Sequence, residues 1–174
     1  MDSRTPTDPA ASLFVALYGE LRRLAERQLH RQPGVGVSPT TLLHEAYLEM
    51  AGRELHFPDR QRFVAYAARV MRGLLIDLVR ERLALKNGGA FHITRLPTTQ
   101  REALPDQQQL VRLSDALDAL ASHSARLAQI VDLKYFCGFT FEQIAAQLEL
   151  SERTVQRDWE KARMLLFMHL DGET

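Results

Sequence analysis

The sequence predicts an all-α protein with two small helical domains joined by a linker, the C-terminal one a helix-turn-helix. Apolar residues recur at three- and four-residue steps along most of the chain, which is the period of an amphipathic α-helix, and no stretch alternates as a β-strand does. The period is lost where Gly, Pro, Thr and Gln become frequent. We therefore place the first domain at residues 1–88, the linker at 89–109 and the second domain at 110–174.

Two helices are predicted at the start of the first domain. An apolar stripe indicates one helix near Ser12–His30, and the turn-forming stretch Gln32–Gly36 ends it. Ser38 suits an N-cap and Pro39 the first helical position, because a Ser hydroxyl accepts from an unpaired amide and Pro has no amide hydrogen to leave unpaired. We expect the helix that begins here to extend to about Met50.

The third predicted helix is the longest in the chain. Asp59 suits its N-cap, and Asn87–Gly89 is a strong stop signal because Asn and Gly tolerate the left-handed backbone that ends helices. Beyond the predicted linker, helical periodicity returns at Leu110–Leu120 and again at Leu127–Leu133. The second domain therefore begins with two helices of its own.

The segment Thr140–Leu166 has the pattern of a helix-turn-helix, TFEQIAAQLELSERTVQRDWEKARMLL. Thr140 and Gln143 match a capping box at the start of its first helix, and Ser151 suits the N-cap of its second helix. Glu149 occupies the turn position that Gly often takes. We expect a positive φ there, at a cost of about 1 kcal/mol.

The second helix of this unit has an inner and an outer face. The predicted inner contacts of the whole unit are apolar, and they are Ile144, Ala145, Leu148, Val155, Trp159 and Ala162. The outer face carries groups that bind base edges and phosphates. We expect these residues to contact DNA: Arg153, Thr154, Gln156, Arg157 and Lys161. The alternative is an ordinary helical hairpin whose charged face is only solvated.

The segment Asp59–Lys86 is locally basic. Its basic residues are Arg60, Arg62, Arg69, Arg72, Arg80, Arg82 and Lys86. The aromatic residues Phe57, Phe63 and Tyr66 lie near its start, and basic groups with aromatic rings suit single-stranded DNA. Phe63 and Tyr66 also share the apolar stripe, which favours a place in the core. The arginines could equally form a solvated face whose stems cover apolar surface.

Together these segments resemble the extracytoplasmic-function (ECF) sigma factors of the sigma-70 family. The stretch TTLLHEAYLEM resembles the polymerase-binding helix, and RFVAYAARVMRGLLIDLVRERL, with the Asp-x-x-Arg of Asp77 and Arg80, resembles the promoter-melting and −10 helices. The stretch SERTVQRDWEKAR resembles the −35 unit. The resemblance implies a subunit that binds core RNA polymerase and directs promoter-specific initiation, while catalysis belongs to the polymerase.

The resemblance also implies three sets of site residues and their partners. On the clamp of the β′ subunit it implies contacts from Leu42, Glu45, Tyr47 and Glu49. On −10 DNA it implies contacts from Phe57, Arg62, Arg69, Arg72, Arg80 and Arg82. On −35 DNA it implies the outer face of the helix-turn-helix given above, and it adds the β flap as a second polymerase contact. The loop Ala51–Pro58 would help capture an unstacked −10 base, and the linker would run toward the RNA exit path.

The start of the polymerase-binding helix departs from the family pattern. Many members have a cluster of acids there, whereas this chain has no acid until Glu45. Either Glu45, Glu49 and apolar contacts suffice, or phosphorylation of Ser38, Thr40 or Thr41 supplies the charge. A phosphate at a helix N-terminus would be favourable. The partners implied for control are an anti-sigma factor or a Ser/Thr kinase.

Composition excludes several functional classes. The 22 Lys or Arg balance the 22 Asp or Glu, which counts against a protein that coats nucleic acid by bulk charge. None of the six His has the spacing of an H-E-x-x-H metal site, and no nucleophile elbow or phosphate-binding Gly loop is present. We therefore expect no enzyme, no metal site and no cofactor.

The same inspection predicts a cytoplasmic protein. The single cysteine, Cys137, cannot form an internal disulfide and lies in an apolar run where burial is expected. The first residues lack a basic region followed by an apolar core, and no run approaches the roughly 18 apolar residues of a membrane span. We expect neither a signal peptide nor a membrane span.

Two other functions use the same helix-turn-helix. A ligand-responsive or dimeric helix-turn-helix repressor or activator would bind palindromic duplex DNA without polymerase. A helical adaptor would bind only protein. A polymerase-dependent transcription assay distinguishes the three, because only a sigma factor lets core enzyme initiate at a defined promoter.

Overall fold

The computed structural model of the chain describes residues 9–32, 35–51, 53, 55–86 and 105–171, and every regular element within those ranges is a helix. The all-α fold class is therefore confirmed. In chain order the helices are α1 (Pro9–Ala16), α2 (Tyr18–His30), α3 (Pro39–Met50), α4 (Arg60–Lys86), α5 (Pro105–His123), α6 (Ala125–Val131), the π-helical segment Asp132–Phe136, α7 (Phe141–Leu148) and α8 (Glu152–Asp171).

The single helix expected near Ser12–His30 is instead two helices, α1 and α2. The break is at Leu17, whose ψ of 11 lies outside the helical range. Its side chain packs against two different apolar clusters, which a straight helix with one apolar stripe would not allow.

Both predicted N-caps of the first half are present. Ser38 Oγ accepts a hydrogen bond from the Thr41 amide at 3.0 Å, with Pro39 in the first helical turn. Asp59 Oδ1 accepts from the Arg62 amide at 2.8 Å at the start of α4. These caps fix where α3 and α4 begin. The stop predicted at Asn87–Gly89 lies outside the described residues.

Most of the predicted linker lies outside the described residues, since 87–104 are not among them. Helix α5 begins at Pro105, so residues 105–109 are helical, whereas the sequence assigned them to the linker. Proline is common in the first turn because its missing N–H is not needed there. Ser124 separates α5 from α6 and caps α6 by accepting from the Leu127 amide at 3.4 Å.

Helices α1 to α4 pack around one apolar core. Its largest fully buried side chains come from α2, α3, α4 and the loop before α3, and they are Leu21, Val35, Leu42, Leu43, Phe63, Met71, Leu78 and Val79. Leu110 of α5 is buried in the same cluster. The first turns of α5 are therefore attached to the N-terminal half, although the sequence placed Leu110 in the second domain.

The two halves also share a core. Leu24 of α2 and the α4 residues Val64 and Ala68 are buried in one cluster with residues of the second half, among them Ile130 and Leu133. A third cluster, formed by α5, α6, α8 and Phe136 of the π-helical segment, belongs to the second half alone. The halves are thus in contact through buried side chains, and α4 supplies apolar groups to both of them.

The helix-turn-helix has the predicted local geometry. The Thr140–Gln143 capping box is complete, with both hydrogen bonds made at 2.9 and 3.1 Å. Glu149 has φ 56 and ψ 41, and the Leu150 amide donates to the Ala145 carbonyl across the turn at 3.0 Å. Ser151 Oγ accepts from the Thr154 amide at 3.2 Å, which caps α8. Both caps and the left-handed turn residue are confirmed.

None of the described helices is both long enough and apolar enough to cross a bilayer.

The turn gives a stability prediction. Replacing Glu149 by Gly removes the Cβ that is crowded at φ 56. We expect the free energy of unfolding to rise by about 0.5 to 1 kcal/mol, since the left-handed strain of an L-residue exceeds the entropy cost of Gly. Urea unfolding followed by circular dichroism measures the change. Glu149→Ala is the matched control, because it removes the carboxylate but keeps the Cβ, and equal stability of the two variants would contradict the strain argument.

Candidate nucleic-acid interface

Helix α8 presents an exposed polar face at its start. Arg153, Gln156, Arg157 and Lys161 are exposed, as the period predicts, and Thr154 is half-buried against the Ser151 cap. Arg157 is 73% exposed, so its guanidinium can reach a ligand without rearrangement. The geometry therefore leaves the predicted −35 residues accessible at the N-terminal half of a capped helix, where base contacts are usual.

A buried acid on the inner face of this helix forms an ion pair with α6. Asp158 points inward from α8 with only 5% of its side chain exposed, and its Oδ2 lies 2.9 Å from Nη2 of Arg126 on α6. The exposed Arg157 Nε is 3.6 Å from the other oxygen. Sequence inspection overlooked Asp158, although it lies on the inner face between Val155 and Ala162, a position where an unpaired acid would be costly.

The two halves meet at a contact that we call the seam, where Leu24, Val64 and Ala68 are buried with Ile130 and Leu133. Arginines of α4 lie along this seam. Arg69 Nε is 3.4 Å from Asp132 Oδ2, and Arg72 Nη1 is 2.7 Å from Asp132 Oδ1. The guanidinium of Arg72 also stacks 4.9 Å from the centre of the Phe136 ring. Two of the residues predicted to hold −10 DNA therefore contact the π-helical segment of the second half.

Asp132 has an environment that opposes its charge. Only 14% of the side chain is exposed. Burial raises the pKa of this carboxyl, while the nearby Arg72 and Arg69 lower it and Asp118 raises it further. Sequence inspection did not single out Asp132. The available signal was a lone acid inside the apolar run Ile130–Phe136.

The other predicted −10 arginines also have neighbours in the structure. Arg80 Nη2 lies 2.6 Å from Oδ1 of Asp115 on α5, and Arg80 Nη1 lies 4.0 Å from Asp77. Arg62 pairs with its own helix cap, Asp59, at 3.5 Å. Burial lowers the pKa of Arg82, which is half-buried. The sequence pattern gave no indication that Asp115, 35 residues further along the chain, is the partner of Arg80.

The aromatic residues near the start of α4 form one cluster. The ring centre of Phe57 is 5.2 Å from that of Phe63 and 5.3 Å from that of Tyr66. Phe63 is fully buried and Tyr66 half-buried, which agrees with the core alternative for these two. Phe57 is half-buried at the end of the loop, so part of its ring remains accessible. Gly52 and Glu54 of that loop lie outside the described residues.

The predicted polymerase-binding residues are not equally accessible. Leu42 is fully buried in the N-terminal core, so it packs the helix and offers no surface to a partner in this conformation. Glu45, Tyr47 and Glu49 are partly exposed. Leu48, which the sequence analysis did not select, is an exposed apolar side chain on the same helix. The accessible face of α3 therefore combines acids with an apolar residue.

The three predicted phosphorylation sites differ in their contacts. Ser38 is the helix cap, and its Oγ also lies 2.8 Å from Thr41 Oγ1. Thr40 is exposed in the first turn of α3. A group added at Thr40 would therefore leave the Ser38–Thr41 cap intact.

Cys137 lies at the seam between the halves. It is buried, and its carbonyl accepts a hydrogen bond from Arg27 Nη1 of α2 at 2.5 Å. The next residue, Gly138, has φ +72, and a Cβ there would collide with the same guanidinium. Burial, and secondly Asp132, raises the pKa of the Cys137 thiol to about 12, although Arg69, Arg27 and Arg72 act in the opposite direction.

The chain matches a known protein family. The model of a family described as ECF sigma factor matches residues 5–172, which is nearly the whole chain. No curated protein matches the sequence. Among the described residues, no group of three or more His, Cys, Asp or Glu side chains is arranged to hold a metal ion.

The raised thiol pKa predicts slow labelling of Cys137. At pH 8 a shift from 9.0 to about 12 lowers the thiolate fraction by about a thousandfold, and thiolate is the reactive form. We expect iodoacetamide to modify the native chain far more slowly than the chain unfolded in urea. The unfolded thiol ionises first as pH rises, so this group's contribution to stability should be lost between pH 9 and about 12. Cys137→Ala should lack that loss. Equal labelling rates in the native and unfolded chains would contradict the buried thiol.

Proposed function

The chain belongs to the ECF sigma factor family, whose members are DNA-binding transcription initiation factors that act with core RNA polymerase, and we propose that it holds a promoter at two points. Helix α8 would contact the −35 element, and α4 with Phe57 would contact the −10 element. The observation that carries the proposal is the exposed basic face of α8 in a fully capped helix-turn-helix. Catalysis would remain with the polymerase, and we expect the protein to act in the cytoplasm with it.

The −35 contact would combine base and phosphate binding. Arg153, Gln156 and Arg157 carry the donors and acceptors that pair with base edges in the major groove. Lys161, one turn further along, suits a phosphate. Because Val155, Ala162 and Leu166 are buried on the inner face of α8, the helix is packed against the rest of its half and presents its outer face as a firm surface. A rigid helix loses little conformational entropy on binding.

The −10 contact would use single-stranded DNA. Phe57 offers a partly exposed ring beside buried aromatic neighbours, which suits the stacking of an unpaired base. The arginines Arg62, Arg69, Arg72, Arg80 and Arg82 would bind the backbone. These residues are distributed along one long helix, so they would bind successive phosphates along one DNA strand.

Two surfaces suit the polymerase. The partly exposed Glu45, Glu49 and Leu48 of α3 would dock on the clamp of the β′ subunit. Near the end of α8, Phe167 is 62% exposed and Met164 and Met168 are each 65% exposed, an unusual concentration of apolar surface on a small domain. We infer that the β flap covers this second surface.

Transcription with purified core RNA polymerase tests the proposal. We expect the wild-type chain to start transcripts at a promoter found by mapping RNA 5′ ends after overexpression. Arg157→Ala should lower binding of the holoenzyme to that promoter by about tenfold or more, because one base contact is lost. Initiation should fall in parallel.

Arg163→Ala is the matched control. It removes the same side chain from the same helix, but six residues further on, where the helical period turns it to another face. We expect it to leave promoter binding unchanged. DNA binding by the chain alone to a palindromic duplex, with no polymerase-dependent transcript, would indicate a repressor or activator instead. Absence of DNA binding in any combination would indicate an adaptor.

Control of the polymerase contact would come from a kinase or an anti-sigma factor. The first turn of α3 contains no acid, although the helix N-terminus there favours one. We propose Thr40 as the phosphorylation site among the three candidates, because it is exposed while Ser38 and Thr41 hold the cap. The added charge would complement a basic surface on the polymerase.

A charge substitution at Thr40 checks this idea. We expect Thr40→Glu to bind core polymerase about threefold more tightly than Thr40→Gln, which has the same shape without the charge. Thr41→Glu should gain less, because it disrupts the hydroxyl contact with Ser38. Equal affinities for Thr40→Glu and Thr40→Gln, measured by fluorescence anisotropy, would leave the bare α3 surface as the sufficient contact.

A further inference from the structure

The seam between the halves brings together side chains that the proposed function uses separately. Arg69 and Arg72 of α4 meet Asp132 of the π-helical segment at 3.4 and 2.7 Å. Further along α4, Arg80 meets Asp115 of α5 at 2.6 Å. In each contact an arginine proposed to bind the −10 backbone is paired with a carboxylate of the C-terminal half. These carboxylates form ion pairs with the same arginines that would otherwise pair with DNA phosphates.

The charges of the two halves are complementary. Residues 1–109 hold 15 Lys or Arg and 12 Asp or Glu, whereas residues 110–174 hold 7 Lys or Arg and 10 Asp or Glu. The zero net charge of the chain therefore hides a basic half and an acidic half. Opposite charge favours their association, and the favourable contribution weakens as salt is added.

The closed arrangement affects the two DNA surfaces differently. The outer face of α8 stays exposed, including Arg153 and Arg157. Arg72 of α4, in contrast, has only 14% of its side chain exposed. A promoter −35 element could approach the closed chain, but a DNA backbone could not reach Arg72 without displacing Asp132.

Some polar atoms at the seam lack hydrogen-bond partners, so the charged contact does little to hold the two halves together. Arg72 Nη1 and Asp132 Oδ1 are in contact but not aligned as a hydrogen bond, and within the described residues neither Arg72 Nε nor Asp132 Oδ1 meets a hydrogen-bond partner. A buried ion pair of this kind recovers little of its desolvation cost. The acid also lies in a π-helical segment, a geometry that is less stable than an α-helix and is frequent at functional sites.

Apolar burial and further side-chain contacts oppose separation. Val64 and Ala68 are buried against residues of the second half. Arg27 of α2 donates to the Cys137 carbonyl, and Arg31 donates to the Tyr135 carbonyl while lying 4.4 Å from the Tyr135 ring centre. The closed state thus has favourable apolar packing around a costly charged centre. A contact that can both open and close needs favourable and unfavourable contributions that offset each other in this way.

We propose that the C-terminal half closes over α4 as an autoinhibitory latch, in which Asp132 and Asp115 occupy the arginines that would otherwise bind −10 DNA. The inference rests on the proposed role of α4. It adds that the chain free of polymerase binds single-stranded DNA poorly because its two halves are closed. Affinity for DNA would be reduced by the fraction of molecules that are closed.

Labelling of Cys137 measures the latch without DNA, since this only cysteine is buried at the seam. Asp132→Arg places three cations together and should open the seam, raising the rate of iodoacetamide labelling about tenfold. Because the charge of Asp132 itself raises the pKa of the Cys137 thiol, each variant's rate is divided by its thiolate fraction, which the pH dependence of labelling gives. Arg72→Asp should raise it similarly by placing two carboxylates together. The double variant Arg72→Asp/Asp132→Arg restores an ion pair and should return the rate to near that of the wild type. The rates are compared without urea and at low urea, because opening of a seam depends on urea much less than global unfolding does.

Binding of a fluorescein-labelled oligothymidine at low salt measures the consequence for DNA. We expect Asp132→Asn to bind about tenfold more tightly than the wild type, because the closed fraction falls. Glu142→Gln is the matched control, since it removes one exposed carboxylate from the same half but away from α4. It accounts for the simple gain in net charge and should change affinity little.

The outcomes separate this inference from the promoter role. Unchanged labelling in Asp132→Arg, or no recovery in the double variant, would overturn the latch, as would equal DNA affinity for Asp132→Asn and Glu142→Gln. Faster labelling with tighter DNA binding supports the latch. If that result came with a wild-type chain that gave no polymerase-dependent transcript, the latch would stand and the proposed promoter role would fall.

Discussion

The burial of Val64 and Ala68 against the second half is the contact on which the arrangement of the whole chain depends. Helix α4 has a first apolar face, including Phe63 and Met71, that completes the N-terminal core. Its second apolar face lies against the helix-turn-helix half. A helix that is apolar on two sides has only narrow strips left for polar groups. Three arginines of α4 lie in those strips at the edge of the seam and contact acids of the other half: Arg69, Arg72 and Arg80.

This geometry explains why the charged contacts at the seam differ in their effect on stability. Arg80 and Asp115 are both well exposed, so water screens their attraction and the pair contributes little to stability. Arg72 and Asp132 are nearly buried, so their pairing matters in a different way. Removing either one would leave a buried charge without its partner, which is strongly destabilising. The seam is therefore sensitive to Asp132 far more than to Asp115.

Local features of the fold could be predicted from the sequence because their causes are local. The caps at Ser38, Asp59 and Thr140, and the left-handed Glu149, each depend on residues within a few positions. The outward face of α8 follows from helical period alone. The contact of Asp132 with Arg72 could not be predicted, because the two are far apart in the chain and each has an ordinary solvated alternative. The second apolar face of α4 was overlooked for the same reason: Val64 and Ala68 lie beside the stronger stripe that includes Phe63.

Weak DNA binding by the chain without polymerase would follow from the same arrangement of α4. Base contacts by one short helix give modest affinity, since much of the strength of DNA binding comes from phosphate neutralisation. This chain has the cations for that purpose on α4, but in the closed form acids of its own second half neutralise them. Apolar packing of α4 brings those acids into place, and the desolvation of Asp132 keeps the closed form from being very stable. A surface that binds DNA and a surface that conceals it can thus be built from one helix, because its arginines lie between two apolar faces.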